Sequence, residues 1–380
     1  MTVPPGPGPF ASTPPSGGGA QPWGQPSPGQ PPGPWPPGPP PQWPAGPIPP
    51  ANGGGRGKWI LIGLALVAVI AISVAATVLG LRRDSDTAAT SSPPHGDTQF
   101  ASANDTGPAN LITEDPTCDA WRRIAREHYD KTESAKWTDR DPSIPASAWT
   151  SEQRQMYDAV GKSMETAVGQ AKQLARKTPH RVMRELYGQF AAYGTAFIDK
   201  IPTYTAEDNK VAVVVGALTT GPADICSAIK YSSVQTVAPL VDEPSPPSQP
   251  APVDAAETPQ QFLAAGNDVC NEWAAESTKS AADTAQWRDI DPNIPATDWT
   301  PEQKAINDSV APKLTANADA RERLGRESGN PILEDFAVLG AQYRRAFVSA
   351  LPNYTAADSY LSESSTLLGL IVNFACKAAH

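Results

Sequence analysis

Two pairs of aspartates are the side chains of this 380-residue sequence whose spacing could support metal chemistry. Each pair stands in the same pattern, Trp-x-Asp-x-Asp-Pro-x-Ile-Pro-Ala-x-x-Trp-Thr, which occurs twice. Paired carboxylates can bind a hard cation, but a calcium loop needs further oxygen ligands and a glycine, which the pattern lacks. We therefore favour an Asx turn that enters the proline, with the tryptophans packed beside it, as an interaction or turn motif without a metal ion. The residues concerned are Trp137, Asp139, Asp141 and Trp149, and then Trp287, Asp289, Asp291 and Trp299.

Catalytic motifs are absent from the sequence beyond its N-terminal region. It has no Gly-x-Ser-x-Gly pattern, no phosphate-binding loop and no dinucleotide fingerprint there. The histidines share no position between the two copies of the pattern and lack metal-ligand spacing. We predict a protein that is not an enzyme and needs no cofactor, with an envelope hydrolase as an alternative. The histidines are His95, His128, His180 and His380.

The cysteines follow an internal repeat, and the repeat decides the domain count. The segment from Trp137 returns from Trp287, and Ile201–Ala206 returns from Leu351, so equivalent residues are 150 positions apart. Each repeat begins near one cysteine and ends near another, at nearly equal spacings. If both pairs form disulfides, no free thiol remains as a nucleophile. The pairs are Cys118 with Cys226, and Cys270 with Cys376.

The elements that position these residues are predicted to be helices. Thr150 and Thr300 each open a capping box, with a glutamine three residues later. Behind these caps apolar residues recur every three or four positions. Four helices joined by short turns make an up-down-up-down bundle, which brings the start of the first helix and the end of the fourth to one end. The cysteines occupy those two places, so pairing within each repeat is natural, and crossed pairing is the alternative. The predicted fold is all-α, with two tandem disulfide-closed four-helix-bundle repeats.

Three local features modify the predicted helical fold. Gly221-Pro222 predicts an interruption in the fourth helix of the first repeat. Glu334 and Asp335 are expected on a solvated helix face. The second helix of the second repeat is more polar than its counterpart, which predicts that the repeats differ in function. Its polar residues include Asn317, Asp319, Arg321 and Glu322.

The N-terminal region has a different character. Residues 1–57 contain 21 of the 43 prolines and 14 of the 29 glycines, which predicts a disordered tail with polyproline II character. Trp59 to Leu81 then carries no charge over 23 residues. That length spans a hydrocarbon core of ~30 Å. A buried core helix and a cleavable signal peptide are the alternatives, but the long lead before the apolar run favours an uncleaved anchor.

The position of the cysteines predicts the topology. All four follow the predicted span, and paired cysteines persist outside the cytosol. We expect a plasma (inner) membrane protein with one span, a cytoplasmic N-terminus and extracytoplasmic repeats. The formal charge of the whole chain is −10. The charged residues of the tail and of the membrane flanks are all cations, so the rest of the chain has a net charge more negative than −10. Such a charge argues against nucleic acid as a partner.

The tail contains three tryptophans among its prolines: Trp23, Trp35 and Trp43. Aromatic grooves recognise polyproline II segments, so the tail could dock proteins, and a plain spacer is the alternative. The predicted regions are a tail at 1–57, a transmembrane helix with basic flanks at 58–83, a linker at 84–115, a first helical repeat at 116–231, a Pro-rich linker at 232–262 and a second helical repeat at 263–380.

The tail, the span and the acidic ectodomain together resemble the proline-rich single-pass envelope proteins of mycobacteria and related actinobacteria. The resemblance rests on Met1 to Arg83 and on composition, and it implies a cell-envelope location without any site residue. We expect a non-enzymatic protein whose repeats bind a protein or envelope partner outside, while the tail docks proteins inside. The alternative is an extracytoplasmic sensor that binds a small molecule or a cation.

Overall fold

The computed structural model describes residues 100–379, which form α-helices joined by turns and short 3₁₀ segments, without a strand in that range. The all-α prediction is confirmed for these residues. Several predictions fall outside them: the tail at 1–57 with Trp23, Trp35 and Trp43, the span at 58–83, and the linker residues 84–99.

Four long helices follow one another in each part of the described chain that carries one copy of the repeated sequence, and a threonine cap opens the second of them. The Gln153 amide donates to Thr150 Oγ1 at 3.2 Å, while the Thr150 amide donates to Gln153 Oε1 at 2.9 Å. Thr300 and Gln303 form the same pair of bonds. The first repeat comprises α1 (Cys118–Ser134), α2 (Ser151–Lys177), α3 (Arg181–Lys200) and α4 (Asn209–Lys230), followed by the short α5 (Ser233–Val237). The second comprises α6 (Cys270–Asp283), α7 (Pro301–Glu327), α8 (Pro331–Ala350) and α9 (Ser359–Ala378).

Helix α4 runs through Gly221-Pro222 without a break, so the predicted interruption is wrong. Proline removes one helical hydrogen bond, but packing on several sides holds the helix together. Helix α4 contacts α1, α3 and α9. Glycine also permits a close approach here, because a Cβ atom at position 221 would lie 3.4 Å from Ile371 Cδ1 on α9.

Two disulfides close the repeats. Cys118 is joined to Cys226, with Cα atoms 5.2 Å apart, and Cys270 to Cys376, with Cα atoms 5.5 Å apart. Each bridge links the start of the first long helix to the end of the fourth. In the chain-entropy model, closing a loop of about 100 residues stabilises a fold by roughly 4.7 kcal/mol.

The two repeats pack together through equivalent helices. Helix α4 makes its most extensive contact with α9, and α3 also contacts α8. Gly221 and Ile371 hold equivalent positions and lie against one another. Helices α4 and α9, which hold equivalent places in the two copies of the repeated sequence, thus form the main contact between them.

The segments that precede and join the repeats also pack on the helices. Phe100 and Ile112 are buried, and the Ala101 amide donates to the Arg176 carbonyl at 2.9 Å. Between the repeats, the Ser248 amide donates to Glu334 Oε1 at 3.2 Å. Parts of both predicted linkers thus pack against the long helices, and the predicted linker at 232–262 begins with the buried helix α5.

One helix within the described range is long and apolar enough to cross a membrane, by length and composition alone. It is α4 with its preceding turn, Ala206–Lys230. Core helices pass the same test, and Cys226 on this helix is bonded to Cys118 on α1. Its apolar character is accounted for by its contacts with both repeats.

Candidate functional site

The predicted aspartate turns are Asx turns in the structure. Asp141 Oδ1 accepts from the Ser143 amide at 2.9 Å and from Ser143 Oγ at 2.6 Å, and these bonds hold the pKa of Asp141 below its ordinary value. In the second repeat, Asp291 Oδ1 accepts from the Asn293 amide at 2.9 Å. The four aspartates of the two motifs are exposed. No group of His, Cys, Asp and Glu side chains in the described range could hold a metal ion.

The most similar segments of the two repeats meet in space. In the first repeat, the Ala146 amide donates to the Tyr204 carbonyl at 2.8 Å, and Tyr204 Oη donates to the Pro142 carbonyl at 2.9 Å. Trp149 Nε1 donates to the Ile144 carbonyl at 2.9 Å. The two bonds of Tyr204 join the connection between α1 and α2 to the connection between α3 and α4, and the Trp149 bond lies within the first connection.

The second repeat forms the same bonds. The Ala296 amide donates to the Tyr354 carbonyl at 2.8 Å, Tyr354 Oη donates to the Pro292 carbonyl at 2.6 Å, and Trp299 donates to the Ile294 carbonyl at 3.0 Å. Because every partner is within the same repeat, the tryptophan and proline residues of the motif act as a scaffold that fixes two loops.

The aromatic residues around this scaffold differ between the repeats. In the first repeat, Arg140 lies 3.6 Å from the centroid of the Trp137 ring and donates to Asn209 Oδ1 at 2.7 Å. Tyr157 stacks on Trp149 with ring centroids 3.8 Å apart. The equivalent of Arg140 is an isoleucine, so the cation over the tryptophan belongs to the first repeat alone.

A charged cluster lies buried between the repeats, at residues that the sequence patterns did not select. Arg181 on α3 binds Asp335 on α8, with Nε to Oδ2 at 2.7 Å and Nη2 to Oδ1 at 2.8 Å. Asp335 and Glu334 are buried, so the predicted solvated face is wrong. The physical reason is the packing of α8 against the first repeat and the linker. One signal in the sequence could have indicated this cluster: both repeats have an acidic residue at the same position, Glu185 and Asp335, beside the apolar face of the helix.

A cleft of about 420 Å³ lies between the linker and the second repeat. Its walls are residues 240–245 on one side and α7 and α8 on the other. Arg345 lines the cleft and donates to Glu322 Oε2 and to Asp319 Oδ1, each at 2.7 Å. At the rim, Leu240 is 66% exposed, the largest exposure among the large apolar side chains in the described range. A polar cleft with an apolar rim can accept a protein segment.

Comparison with known proteins gives the family. The family described as "Mycobacterial ESX-1 associated protein" matches residues 100–380. A protein of Mycolicibacterium smegmatis (strain MKD8), described only as uncharacterised, is 40% identical over 385 residues, covering 100% of this chain and 97% of its own length. No solved structure matches the chain.

Proposed function

Because the chain belongs to the mycobacterial ESX-1 associated protein family, we propose that it is a non-enzymatic envelope protein that binds a protein partner of the ESX-1 secretion system. Its extracytoplasmic part is a pair of disulfide-closed four-helix bundles. One transmembrane helix at 58–83 anchors them, and the tail at 1–57 docks cytoplasmic proteins.

The cleft beside Leu240 is the observation that carries this proposal. The linker residues that form one wall are fixed to the second repeat, since Arg326 Nη2 donates to the Ser245 carbonyl at 3.0 Å. A preformed cleft binds at a low cost in ordering entropy. Leu240 at its rim gives a partner an apolar contact that is not covered within the described residues.

The location outside the cytosol is supported by the chemistry of the cysteines. Both pairs lie within disulfide distance inside the fold, and no free cysteine occurs in the described range. Such bonds persist where the surroundings are oxidising. Alkylation of the protein in intact cells tests this location: all four cysteines should resist labelling until a reductant is added.

Photo-crosslinking at two matched positions tests partner binding. A photo-reactive phenylalanine analogue replaces Leu240 in one strain and Tyr129 in another, since Tyr129 is exposed on α1 and does not line the cleft. We expect an ESX-1 component to be crosslinked from position 240 and not from position 129. Equal products from both positions, or none from position 240, would reject the cleft as the binding site. A version without residues 2–57 then separates partners of the tail from partners of the repeats.

A further inference from the structure

The interiors of the two repeats differ in charge. Arg321 on α7 and Arg344 on α8 point into the second repeat, where they are 8% and 3% exposed. Their equivalents in the first repeat are Ala171 and Gly194. The Gly194 site is filled by Val168 and Met164, so the fold itself does not require cations at this place.

Both guanidinium groups reach the same residue on α9. Arg344 Nε donates to Ser365 Oγ at 2.9 Å, and Arg321 Nη1 donates to the Ser365 carbonyl at 3.3 Å. Gly369 makes room one turn further on, because a Cβ atom there would lie 2.3 Å from Arg321 Nη1. The first repeat has Thr219 at that position. Two cations thus converge from neighbouring helices on one point of a third helix.

No carboxylate within the described range compensates them directly. Among residues 100–379, no carboxylate oxygen lies within 4.0 Å of a guanidinium nitrogen of either arginine. Glu276 on α6 is the acid that acts on Arg321, and it accepts from Asn317 Nδ2 at 2.7 Å. Burial lowers the pKa of Arg321 to about 10, and burial and the charge of Arg321 lower the pKa of Arg344. Buried charges are normally paired, since removing them from water is costly.

Three buried polar atoms on α7 and α9 have no hydrogen-bond partner among the described residues. Asn317 Oδ1, Ser364 Oγ and Asn373 Oδ1 are enclosed and form no hydrogen bond. Asn317 precedes Arg321 by one turn, and Asn373 follows Gly369 by one turn, so each pair shares a helix face. Of these three atoms only Ser364 Oγ carries a proton that it can donate to a bound anion, because the amide oxygens are acceptors.

We propose that the interior of the second repeat, between α7, α8 and α9, binds a compact inorganic oxyanion, phosphate or sulfate, through Arg321 and Arg344. Two guanidinium forks suit a tetrahedral oxyanion, because each can donate two parallel hydrogen bonds. The near-complete burial of both side chains favours a free ion over the headgroup of a lipid. This site is separate from the cleft beside Leu240, and either can exist without the other.

Calorimetric titration and thermal melting of the full-length protein in detergent test the site. At constant ionic strength, phosphate and sulfate should each bind saturably and raise Tm, as a ligand of the folded state does. The Arg344→Met variant should lose both effects, and without oxyanion it should melt above the wild type, because an unpaired buried charge has been removed. The Arg323→Met variant is the matched control: Arg323 is an exposed arginine on α7 paired with Glu272, and the variant should respond as the wild type does.

The Arg344→Lys variant, which keeps the charge and loses the fork, covers a failure of the methionine variant to fold. It should bind phosphate more weakly than the wild type. Saturable binding that persists unchanged in both Arg344 variants would overturn the proposal. An absence of saturable binding in the wild type, or a response to short-chain phosphatidylglycerol alone, would overturn it as well.

Discussion

Arg181 and Asp335 form a two-pronged ion pair that joins the two repeats, with both side chains about 1% exposed. Breaking a buried pair leaves the other charge without compensation. We expect Arg181→Ala to lower the free energy of unfolding by about 3–5 kcal/mol. Chemical denaturation monitored by circular dichroism measures this change. Arg323→Ala, at an exposed ion pair, should change it by less than about 1 kcal/mol, and equal losses in both variants would contradict this account.

Glu185 should make the protein less stable as the pH rises. Burial and the nearby Asp335 raise its pKa well above the ordinary value of 4.5, although Arg181 and Arg184 act in the opposite direction. As the pH rises past about 4.5, the unfolded state releases this proton while the folded state keeps it. The free energy of unfolding therefore falls as the pH rises above that ordinary value. Glu185→Gln should match the wild type in acid and exceed its unfolding free energy at neutral pH. A glutamine variant that is less stable at neutral pH would contradict the prediction.

The contribution of His128 to stability depends on pH in the opposite direction. Its Nδ1 atom lies 2.8 Å from Ser163 Oγ, and burial lowers its pKa from 6.5 to about 4. Between these values the unfolded chain binds more protons, so stability falls as the pH falls, by up to about 3 kcal/mol. The difference in unfolding free energy between the wild type and His128→Gln, followed from neutral pH to pH 4, isolates this residue from the carboxylates. A constant difference would show that the histidine does not titrate in this range.

Two glycines in equivalent helices should respond in opposite ways to alanine. At Gly325 on α7, an added Cβ would lie 2.4 Å from Ala337 Cβ on α8, whereas at Gly169 on α2 nothing lies within 4 Å. Gly325→Ala should destabilise by about 1–3 kcal/mol through overpacking. Gly169→Ala should stabilise by roughly 0.5–1 kcal/mol, because glycine is entropically unfavourable in a helix. Thermal melting of the two variants checks the order, and a stabilising Gly325→Ala would exclude a close crossing of α7 and α8.

Local signals in the sequence predicted the helical class well. Thr150 and Thr300 mark their helix starts because a capping box depends only on residues three apart. The tandem repeat made the pairing of the cysteines the natural one, because both pairs have the same place in equivalent elements.

Features that depend on long-range packing could not be predicted in the same way. Asp335 has the composition of a solvated helix face, and its burial follows from the contact of α8 with α3, which no local pattern records. Pro222 lies inside a continuous helix for the same reason. The polar residues of α7 indicated from the sequence that the two repeats differ. The direction of the Arg321 side chain follows from its packing near Arg344 and Gly369 on other helices, which the sequence does not record.

Each disulfide joins cysteines that are consecutive along the chain, 108 and 106 residues apart. As the polypeptide emerges from its N-terminus, Cys226 appears while Cys118 is the only earlier cysteine, so the first bond can form before Cys270 is available. An oxidant that joins each new cysteine to the one before it therefore produces the native pairing, and no later thiol–disulfide exchange is required. The order of residues thus protects this fold from mispairing during its synthesis.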